Sequence, residues 1–443
     1  MHDTLTLTSG SLAPIFRLKR NTRVSFKPIT VLTICRTEAH MLAPASHGSQ
    51  WNPTVSTAPA VWPQIEAARI EGLCPDRFEP VRQALQRSLD SGEDIGASVA
   101  VFVHGEPVVD LWGGYLDARF DRPWGRDTLI TTHSITKTMT GMAALVLADS
   151  GELDFDAPVA RYWPEFAQNG KAGVLVKHIL SHTSGLAGWT EDVTWDDVYD
   201  HDKACDLLAR QAPWWQPGTA AAYHGLSIGH LVSGVIQRIT GLTLGKYFAE
   251  HVARPLGADY HIGIGPEHDQ RIACFVQGCR DWLPSGNPIA ERVGLNPQLT
   301  PQTSATTAWR RAEVGGANGH GNARSVATIH SALATGGAKG RRLLSDKGRL
   351  RALEPMSDGI DLLLGVPIKW GAAAFALDAP LLCPNAPGHR IAFWGGQGGS
   401  IAVVDFDECM SISFVMNRWL KGPYELMRGQ RIVASVYESL GKR

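Results

Sequence analysis

Residues 133–148 of the chain have the sequence HSITKTMTGMAALVLA, in which a polar start leads into an apolar run. The apolar residues recur every three to four positions, at Met139, Met142, Ala143, Val146 and Leu147. This spacing predicts a buried helix. Ser134 then begins that helix and Lys137 follows one turn later, so both side chains are expected to point in the same direction.

Ser134 and Lys137 together contain the parts of an activated nucleophile. A serine hydroxyl is a weak nucleophile until a neighbouring base takes its proton. Lys137 can be that base only if its amine is neutral, and burial and the positive end of the helix both lower a lysine pKa. The Ser-x-x-Lys pattern also occurs by chance in many chains, so it needs support from elsewhere in the sequence.

The composition of the chain is that of a globular protein. Of the 443 residues, 44% are hydrophobic and 19% are charged, and the formal net charge is −1. This length fits one large domain or two medium ones. Because the net charge is close to zero, nothing indicates an attraction to nucleic acid or to an anionic membrane. We therefore expect neither as a partner.

The cysteines and histidines give no support for a metal site. Seven cysteines are scattered without a C-x-x-C pair or zinc-finger spacing. Reduced thiols in a cytoplasmic protein are the simplest explanation. The 16 histidines include no H-E-x-x-H motif, so a zinc hydrolase is not indicated.

Residues 1–62 are predicted to be a disordered N-terminal extension, with residues 63–443 forming the domain. The extension is rich in Ser, Thr and Pro and shows no sustained periodicity. Its apolar run, residues 29–35, is too short to span a membrane. Basic residues before the run and Ala43-Pro44-Ala45 after it faintly resemble a secretory signal peptide. Translation from Met41 is the alternative interpretation.

Strand patterns at both ends of the domain predict its architecture. An amphipathic helix over residues 78–91 precedes a hairpin with strands at 97–103 and 107–112. Towards the C-terminus, strands are predicted at 391–394, 400–404 and 410–416, before a final helix at 424–440. The intervening segments are mainly helical. We therefore predict an α+β fold, an α/β sandwich in which the N- and C-terminal parts form one antiparallel sheet with a helical insertion.

Three other motifs have weaker catalytic interpretations. Residues 225–229 match the G-x-S-x-G nucleophile elbow, but that motif requires a preceding buried strand, which the sequence does not predict. Ser227 is instead expected at the start of a helix. His182 lies in a Ser/Thr/Gly turn, where a hydrogen bond to backbone is the more common role. The glycine run 315–323 lacks the ending of a phosphate loop, and a short helix is predicted after it at 326–334.

Three motifs resemble, in sequence and order, those of the serine β-lactamase and penicillin-binding-protein superfamily: Ser134-x-x-Lys137, Tyr223 after Pro217-Gly218-Thr219, and Trp394-Gly395-Gly396. Residues 180–186 and 319–325 also resemble its class C-like branch, and within that branch the greatest similarity is to the family VIII carboxylesterases. The resemblance covers residues 75–440 and implies a β-lactamase/transpeptidase-like fold. Each motif alone is weak, whereas the ordered set is specific.

Two positions depart from the β-lactamase pattern. The usual Tyr-x-Asn is replaced by Tyr223-His224-Gly225, which lacks the amide that helps to hold an acylamino side chain. The usual Lys-Thr-Gly is replaced by Trp394-Gly395-Gly396, which exchanges a carboxylate-binding cation for an apolar stacking surface. Both departures favour a neutral ester over a penicillin, as in the family VIII esterases.

The resemblance also implies a mechanism and a set of site residues. Ser134 would form a covalent acyl-enzyme, and Lys137 and Tyr223 would share the acid/base work, with neither assigned as the first base. Backbone N–H groups of Ser134 and Gln397 would form the oxyanion hole. Substrate contacts are expected from Trp394, Gly395, Gly396 and His224. This chemistry needs neither a metal nor an organic cofactor.

The expected activity is therefore hydrolysis of a small-molecule carboxylic ester or lactone. An acyltransferase of the same fold, and a β-lactamase or D-amino-acid peptidase, are the alternatives. A non-catalytic binder similar to a penicillin sensor ranks below them. The sequence identifies neither the natural substrate nor the oligomeric state, so a homo-oligomer stays open.

Overall fold

The structure is a computed structural model that describes residues 69–277, 286–378, 388–420 and 423–441. The predicted extension, residues 1–62, lies outside the described residues. All of the described residues belong to one unit, Val61–Arg443. Within the described ranges, none of the helices combines the length and the apolar character needed to cross a membrane.

The strands and helices of this unit alternate along the chain in short groups. The strands are β1 (Glu71–Leu73), β2 (Gly96–Val103), β3 (Glu106–Gly114), β4 (Ile130–Thr131), β5 (Val276–Gln277), β6 (His320–Gly321), β7 (Gly337–Ala338), β8 (Arg341–Arg342), β9 (Ser357–Ile360), β10 (Pro367–Trp370), β11 (Ala376–Asp378), β12 (Ile391–Gly396), β13 (Ser400–Asp405), β14 (Met410–Met416) and β15 (Arg418–Trp419). The helices are α1 (Glu79–Asp90), α2 (Ile135–Asp149), α3 (Val176–Leu180), α4 (Trp195–Tyr199), α5 (His201–Arg210), α6 (Ser227–Thr240), α7 (Leu244–Phe248), α8 (Arg254–Leu256), α9 (Pro288–Leu295), α10 (Pro301–Ser304), α11 (Thr307–Arg311), α12 (Ala323–Thr335), α13 (Asp346–Leu350) and α14 (Pro423–Ser439).

One antiparallel sheet contains strands from both ends of the domain, in the order β1-β3-β2-β14-β13-β12-β11-β10-β9. Near its centre β2 pairs with β14, with Val103 opposite Met410 and Ala97 opposite Met416. The predicted fold class is thereby confirmed, including the helical segments between the two groups of strands. The edge strand β1 and the strands β9–β11 at the other side of the sheet were not predicted, because they are short and carry no sustained alternation of apolar residues.

The central strands are buried on both faces because helices cover the sheet on both sides. In β2, Ala100 and Phe102 face a core shared with α2 and α12. The alternate residues Val99 and Val101 face a second core shared with α1 and α14. This alternation follows from the two-residue period of a strand, which sends successive side chains to opposite faces.

Helix α2 lies in the interior of the domain rather than presenting one apolar face. Among its residues only Val146, Ala148 and Asp149 are not fully buried. A small residue allows this close packing, because a Cβ atom on Gly141 would overlap the backbone of Ala373. The predicted helix is therefore present, and its polar residues face other parts of the protein instead of solvent.

Helix boundaries differ from the predictions by one to three residues. The helices predicted at 78–91 and 424–440 correspond to α1 and α14. The helix predicted from residue 326 is α12, which begins three residues earlier. Its start is fixed by Asn322, whose side chain accepts a hydrogen bond from the Ser325 N–H at 2.9 Å. An N-terminal cap of this kind satisfies backbone donors that the helix itself leaves unpaired.

Candidate active site

Ser134 forms the N-terminal cap of α2 and is the point at which this buried segment reaches the surface. Between Thr128 and Leu145 it is the one residue that is not buried. Its backbone lies at the helix start, with φ −69° and ψ −7°. A nucleophile needs access to substrate, and this position provides it while keeping the residues on either side inside the protein.

Lys137 lies one helical turn further on and is fully buried. Its Nζ atom is 3.1 Å from Ser134 Oγ and donates a hydrogen bond to the Gly316 carbonyl oxygen at 2.6 Å. Burial holds the pKa of Lys137 well below its usual range, because the charged amine loses its hydration. A neutral amine that donates to Gly316 keeps a lone pair for the Ser134 proton.

Tyr223 brings its hydroxyl to the same point from the helical insertion. The hydroxyl is hydrogen-bonded to Ser134 and accepts a hydrogen bond from Trp394 Nε1 at 3.2 Å. The Tyr223 ring centroid lies 4.6 Å from Lys137 Nζ. Burial raises the pKa of Tyr223 above its usual range, and the hydrogen bonds from Ser134 and Trp394 oppose that shift. The three residues of the predicted catalytic set therefore meet.

The end of β12 lies against the segment that precedes Ser134. A Cβ atom on Gly396 would overlap the carbonyl oxygen of Thr132, so this close approach requires glycine. Gly395 precedes it, opposite Ile401 of β13. The turn after Gly396 contains Gln397, and this packing brings the turn towards the start of α2. The oxyanion role of the Ser134 and Gln397 N–H groups stays a prediction.

Two histidines lie behind Tyr223 and have no exposed surface. His224 Nε2 is 2.7 Å from Ser184 Oγ, and its Nδ1 is 2.7 Å from the Ala222 carbonyl oxygen. The expectation that His224 contacts substrate does not fit this position, because the ring is fully buried and both nitrogens have protein partners. His182 accepts a hydrogen bond from the His224 backbone N–H at 3.0 Å, which agrees with its predicted structural role.

Several residues around the site were not identified from the sequence. Gly316 supplies the carbonyl that holds Lys137, and the glycine run around it was considered only as a phosphate loop. Asp361 accepts a hydrogen bond from the Tyr223 backbone N–H, and the Trp370 ring stacks on the Tyr223 ring. Of these residues, only Gly316 had a signal in the sequence. It lies in a glycine run, and glycines often mark a close approach of two backbones.

Ser227, the serine of the G-x-S-x-G motif, is not placed as a nucleophile. It is the first residue of α6, as predicted, and is fully buried. Its hydroxyl donates to the Leu186 carbonyl oxygen at 2.7 Å. In the part of the chain that the structure describes, no group of three or more His, Cys, Asp or Glu side chains is arranged to hold a metal ion.

A serine beside a buried lysine and a tyrosine, on an antiparallel sheet with a helical insertion, defines a β-lactamase-like serine hydrolase. The chain belongs to the Beta-lactamase family, whose model matches residues 81–436. The superfamily predicted from the three motifs is therefore confirmed.

Similar proteins include enzymes named as esterases. Over 370 residues the chain is 32% identical to Esterase/beta-lactamase LipL of Mycobacterium tuberculosis, covering 80% of this chain and 84% of LipL. Over 366 residues it is 27% identical to Esterase EstB of Burkholderia gladioli, covering 77% and 89%. The crystal structure of a family VIII carboxylesterase matches with a TM-score of 0.78 and 39% identity, covering 84% of this chain and all of the other.

Proposed function

We propose that this protein is a serine hydrolase that cleaves small carboxylic esters through an acyl-enzyme on Ser134. The observation that carries the proposal is the distance of 3.1 Å between Lys137 Nζ and Ser134 Oγ, with Lys137 fully buried. Burial without a carboxylate partner lowers the pKa of an amine, so more of the amine is neutral and able to accept a proton near neutral pH. The named esterases among its relatives support the same activity.

In the first half of the reaction, Ser134 Oγ attacks the ester carbonyl carbon while its proton passes to Lys137. The N–H groups of Ser134 and Gln397 would stabilise the negative charge on the carbonyl oxygen. The C–O bond to the alcohol then breaks, and Tyr223 delivers a proton to the leaving oxygen, with Lys137 restoring that proton. In the second half, water attacks the acyl-enzyme and releases the acid and free Ser134.

The proposed substrate is neutral near the scissile bond. Trp394 presents an indole where the related β-lactamases present a lysine. The centroid of its ring lies 4.7 Å from that of Trp370 and 5.0 Å from that of Tyr223. Trp370 is fully buried, so Trp394 and the half-buried Tyr223 supply the apolar and stacking surface, in place of a charge that would pair with a carboxylate. An ester or a lactone fits this environment, because both react by the same attack on a neutral carbonyl.

A cytoplasmic location is part of the proposal. The described cysteines Cys74, Cys205, Cys274 and Cys409 are free thiols. Structural disulfides are typical of oxidising compartments, so free thiols favour a reducing one.

The central test compares two serines. Replacing Ser134 by Ala should abolish turnover of a short p-nitrophenyl ester, because the nucleophile is removed. The control, Ser227→Ala, removes a hydroxyl that donates only to the Leu186 carbonyl oxygen, and it should keep most of the activity. Steady-state hydrolysis measured on both folded variants decides the matter. Activity in Ser134→Ala with loss in Ser227→Ala would reject the proposed nucleophile.

The β-lactamase alternative is testable on the same preparation, and LipL carries both activities in its name. We expect hydrolysis of nitrocefin to be at least about a hundredfold less efficient than ester hydrolysis, since Trp394 cannot pair with the β-lactam carboxylate. The measurement is kcat/KM for the two substrates under one set of conditions. Comparable values would instead identify a β-lactamase that also cleaves esters.

A further inference from the structure

Asp361 is a fully buried carboxylate directly behind Tyr223. It follows β9 and accepts four hydrogen bonds. Its Oδ1 atom accepts from the backbone N–H groups of Tyr223 at 3.1 Å and of Leu363 and Leu364 at 3.0 Å each. Its Oδ2 atom accepts from Trp370 Nε1 at 3.1 Å. Every one of these partners is a donor.

A set of donors without an acceptor favours the ionised form of Asp361. A protonated carboxyl would direct its O–H towards groups that themselves donate hydrogen bonds. Burial raises the pKa of Asp361, and the N–H groups of Leu364, Tyr223, Trp370 and Leu363 oppose that shift. Among the described residues, no Lys, Arg or His forms an ion pair with this carboxylate.

Asp361 contacts Tyr223 by two separate routes. The first is the direct hydrogen bond from the Tyr223 backbone N–H. The second runs through Trp370, whose indole donates to Oδ2 and whose ring lies parallel to the Tyr223 ring, at 6.0 Å between centroids and 9° between planes. One side chain therefore fixes both the main chain and the ring of the tyrosine.

The other titratable groups that face Tyr223 are Lys137, His182 and His224. The His182 ring lies 5.1 Å from the Tyr223 ring. Burial lowers the pKa of His224 to about 4 and holds the pKa of His182 well below its usual range, so both rings are neutral in a neutral solution. Burial, and to a smaller extent the negative charge of Asp361, raise the pKa of the Tyr223 phenol.

We propose that Asp361 is a positioning residue that holds the main chain of Tyr223 and, through Trp370, its ring, so that the Tyr223 hydroxyl meets Ser134. This inference rests on the proposed function. When Tyr223 delivers a proton to the leaving oxygen, its hydroxyl must keep this place, because a small displacement of a catalytic group slows the step it performs.

The test is the kinetics of Asp361→Asn, which keeps the shape of the side chain but places an amide NH₂ among groups that donate hydrogen bonds. We expect kcat to fall about tenfold with little change in KM, because the displaced hydroxyl acts in proton transfer and not in substrate binding. The ascending limb of kcat against pH should stay in place, because it belongs to Lys137, whose hydrogen bonds go to Ser134 and Gly316. A wild-type kcat in a folded variant overturns the inference.

Trp370→Phe tests the second route alone. It removes the donor to Oδ2 and keeps both an aromatic ring beside Tyr223 and the hydrogen bond from the Tyr223 backbone to Asp361, so kcat should fall less than in Asp361→Asn. If Asp361→Asn does not fold, Asp361→Glu keeps the charge and displaces it by one methylene. A lower kcat with an unmoved limb in that variant supports the inference, and wild-type kcat overturns it.

Tyr223→Phe separates this inference from the proposed function. Full activity in that variant removes Tyr223 from the acid/base role, and the proposed function fails in that respect. If Tyr223→Phe is inactive and Asp361→Asn behaves as wild type, only the role of Asp361 is rejected. In the double variant the Asp361 substitution should add no further loss, because its effect passes through Tyr223.

Discussion

Lys137, the proposed catalytic base, illustrates how the surroundings of a side chain set its pKa. Its amine has the Gly316 carbonyl as a fixed acceptor and Ser134 as its other neighbour. Loss of hydration lowers its pKa, and the free energy for keeping the amine in this place comes from the packing of α2 around it. The same amine on the surface would stay protonated and could not accept a proton.

The pH dependence of activity follows from that lowered pKa. A base is active when deprotonated, so activity should rise with pH through an ionisation that lies below the normal lysine range near 10.4. Lys137→Arg should lose about 10²- to 10⁴-fold in kcat across this range, because guanidinium stays protonated. The measurement is kcat against pH for the wild type and the variant, over the range in which both stay folded.

Lys171 provides the matched control for that substitution. It is also fully buried, and its Nζ atom donates to the carbonyl oxygens of Gln168 and Gln211, not to Ser134. Burial lowers the pKa of Lys171 to about 8. Lys171→Arg should therefore affect stability more than the pH profile. Retained activity in Lys137→Arg would transfer the base role to Tyr223.

The sequence predicted the residues that we propose react, and it missed those that hold them. Ser134 and Lys137 share one helical turn, and Tyr223 follows a recognisable turn motif, so local patterns were enough. The Gly316 carbonyl lies 179 positions from Lys137, and Asp361 lies 138 positions from Tyr223. No local pattern predicts such pairs, because they depend on how distant loops meet after the chain folds.

Helix α6 packs closely against the loop that holds the proposed base. It lies against the loop that contains Gly315 and Gly316, and a Cβ atom on Gly229 would overlap the backbone of both. The acceptor of Lys137 is in that loop. The position of the base therefore depends on a helix that carries no catalytic side chain, which the sequence could not reveal because glycine in a helix has several explanations.

Gly229→Ala should displace the loop and reduce activity. Alanine is the better helix former by about 1 kcal/mol, but here the new methyl group must move the Gly315–Gly316 backbone. We expect kcat to fall about ten- to a hundredfold, since small displacements in a catalytic group have effects of that size. Steady-state kinetics on the variant, with its melting temperature, measure the effect.

Gly234→Ala in the same helix is the control. Its Cβ atom would lie 2.8 Å from the Trp163 ring, which belongs neither to the catalytic set nor to the Gly315–Gly316 loop. It should lower stability by about 1–3 kcal/mol and leave kcat nearly unchanged. Equal loss of kcat in the two variants would show that α6 acts only through general stability.

The domain predicted at residues 63–443 should fold and act without the preceding segment. The first strand that the structure describes is β1, which pairs with β3 at the edge of the sheet, with Glu71 opposite Trp112. A chain that begins at residue 63 should therefore keep the melting temperature and kcat of the full chain. A lower melting temperature, or a kcat reduced by more than about twofold, would assign residues 1–62 a structural role.

The architecture of the whole molecule was predictable because its strongest patterns lie in the central strands. β2 and β14 are continuous runs of buried residues, and their apolar character is visible in the sequence. The strands β9–β11 were not predicted, since each has only three or four residues and is partly exposed, which gives it a mixed composition. Fully buried strands therefore have the clearest apolar pattern in the sequence.

The pairing of β2 with β14 also determines when this protein can fold during its synthesis. The Gly96 N–H donates to Asn417 Oδ1 across 321 positions, so β2 leaves the ribosome long before its partner strand is translated. Until then the nascent chain carries an apolar strand with an unpaired edge, a species prone to aggregation and a natural client of chaperones. A premature stop codon before Met410 would therefore yield an insoluble fragment instead of a weakened enzyme.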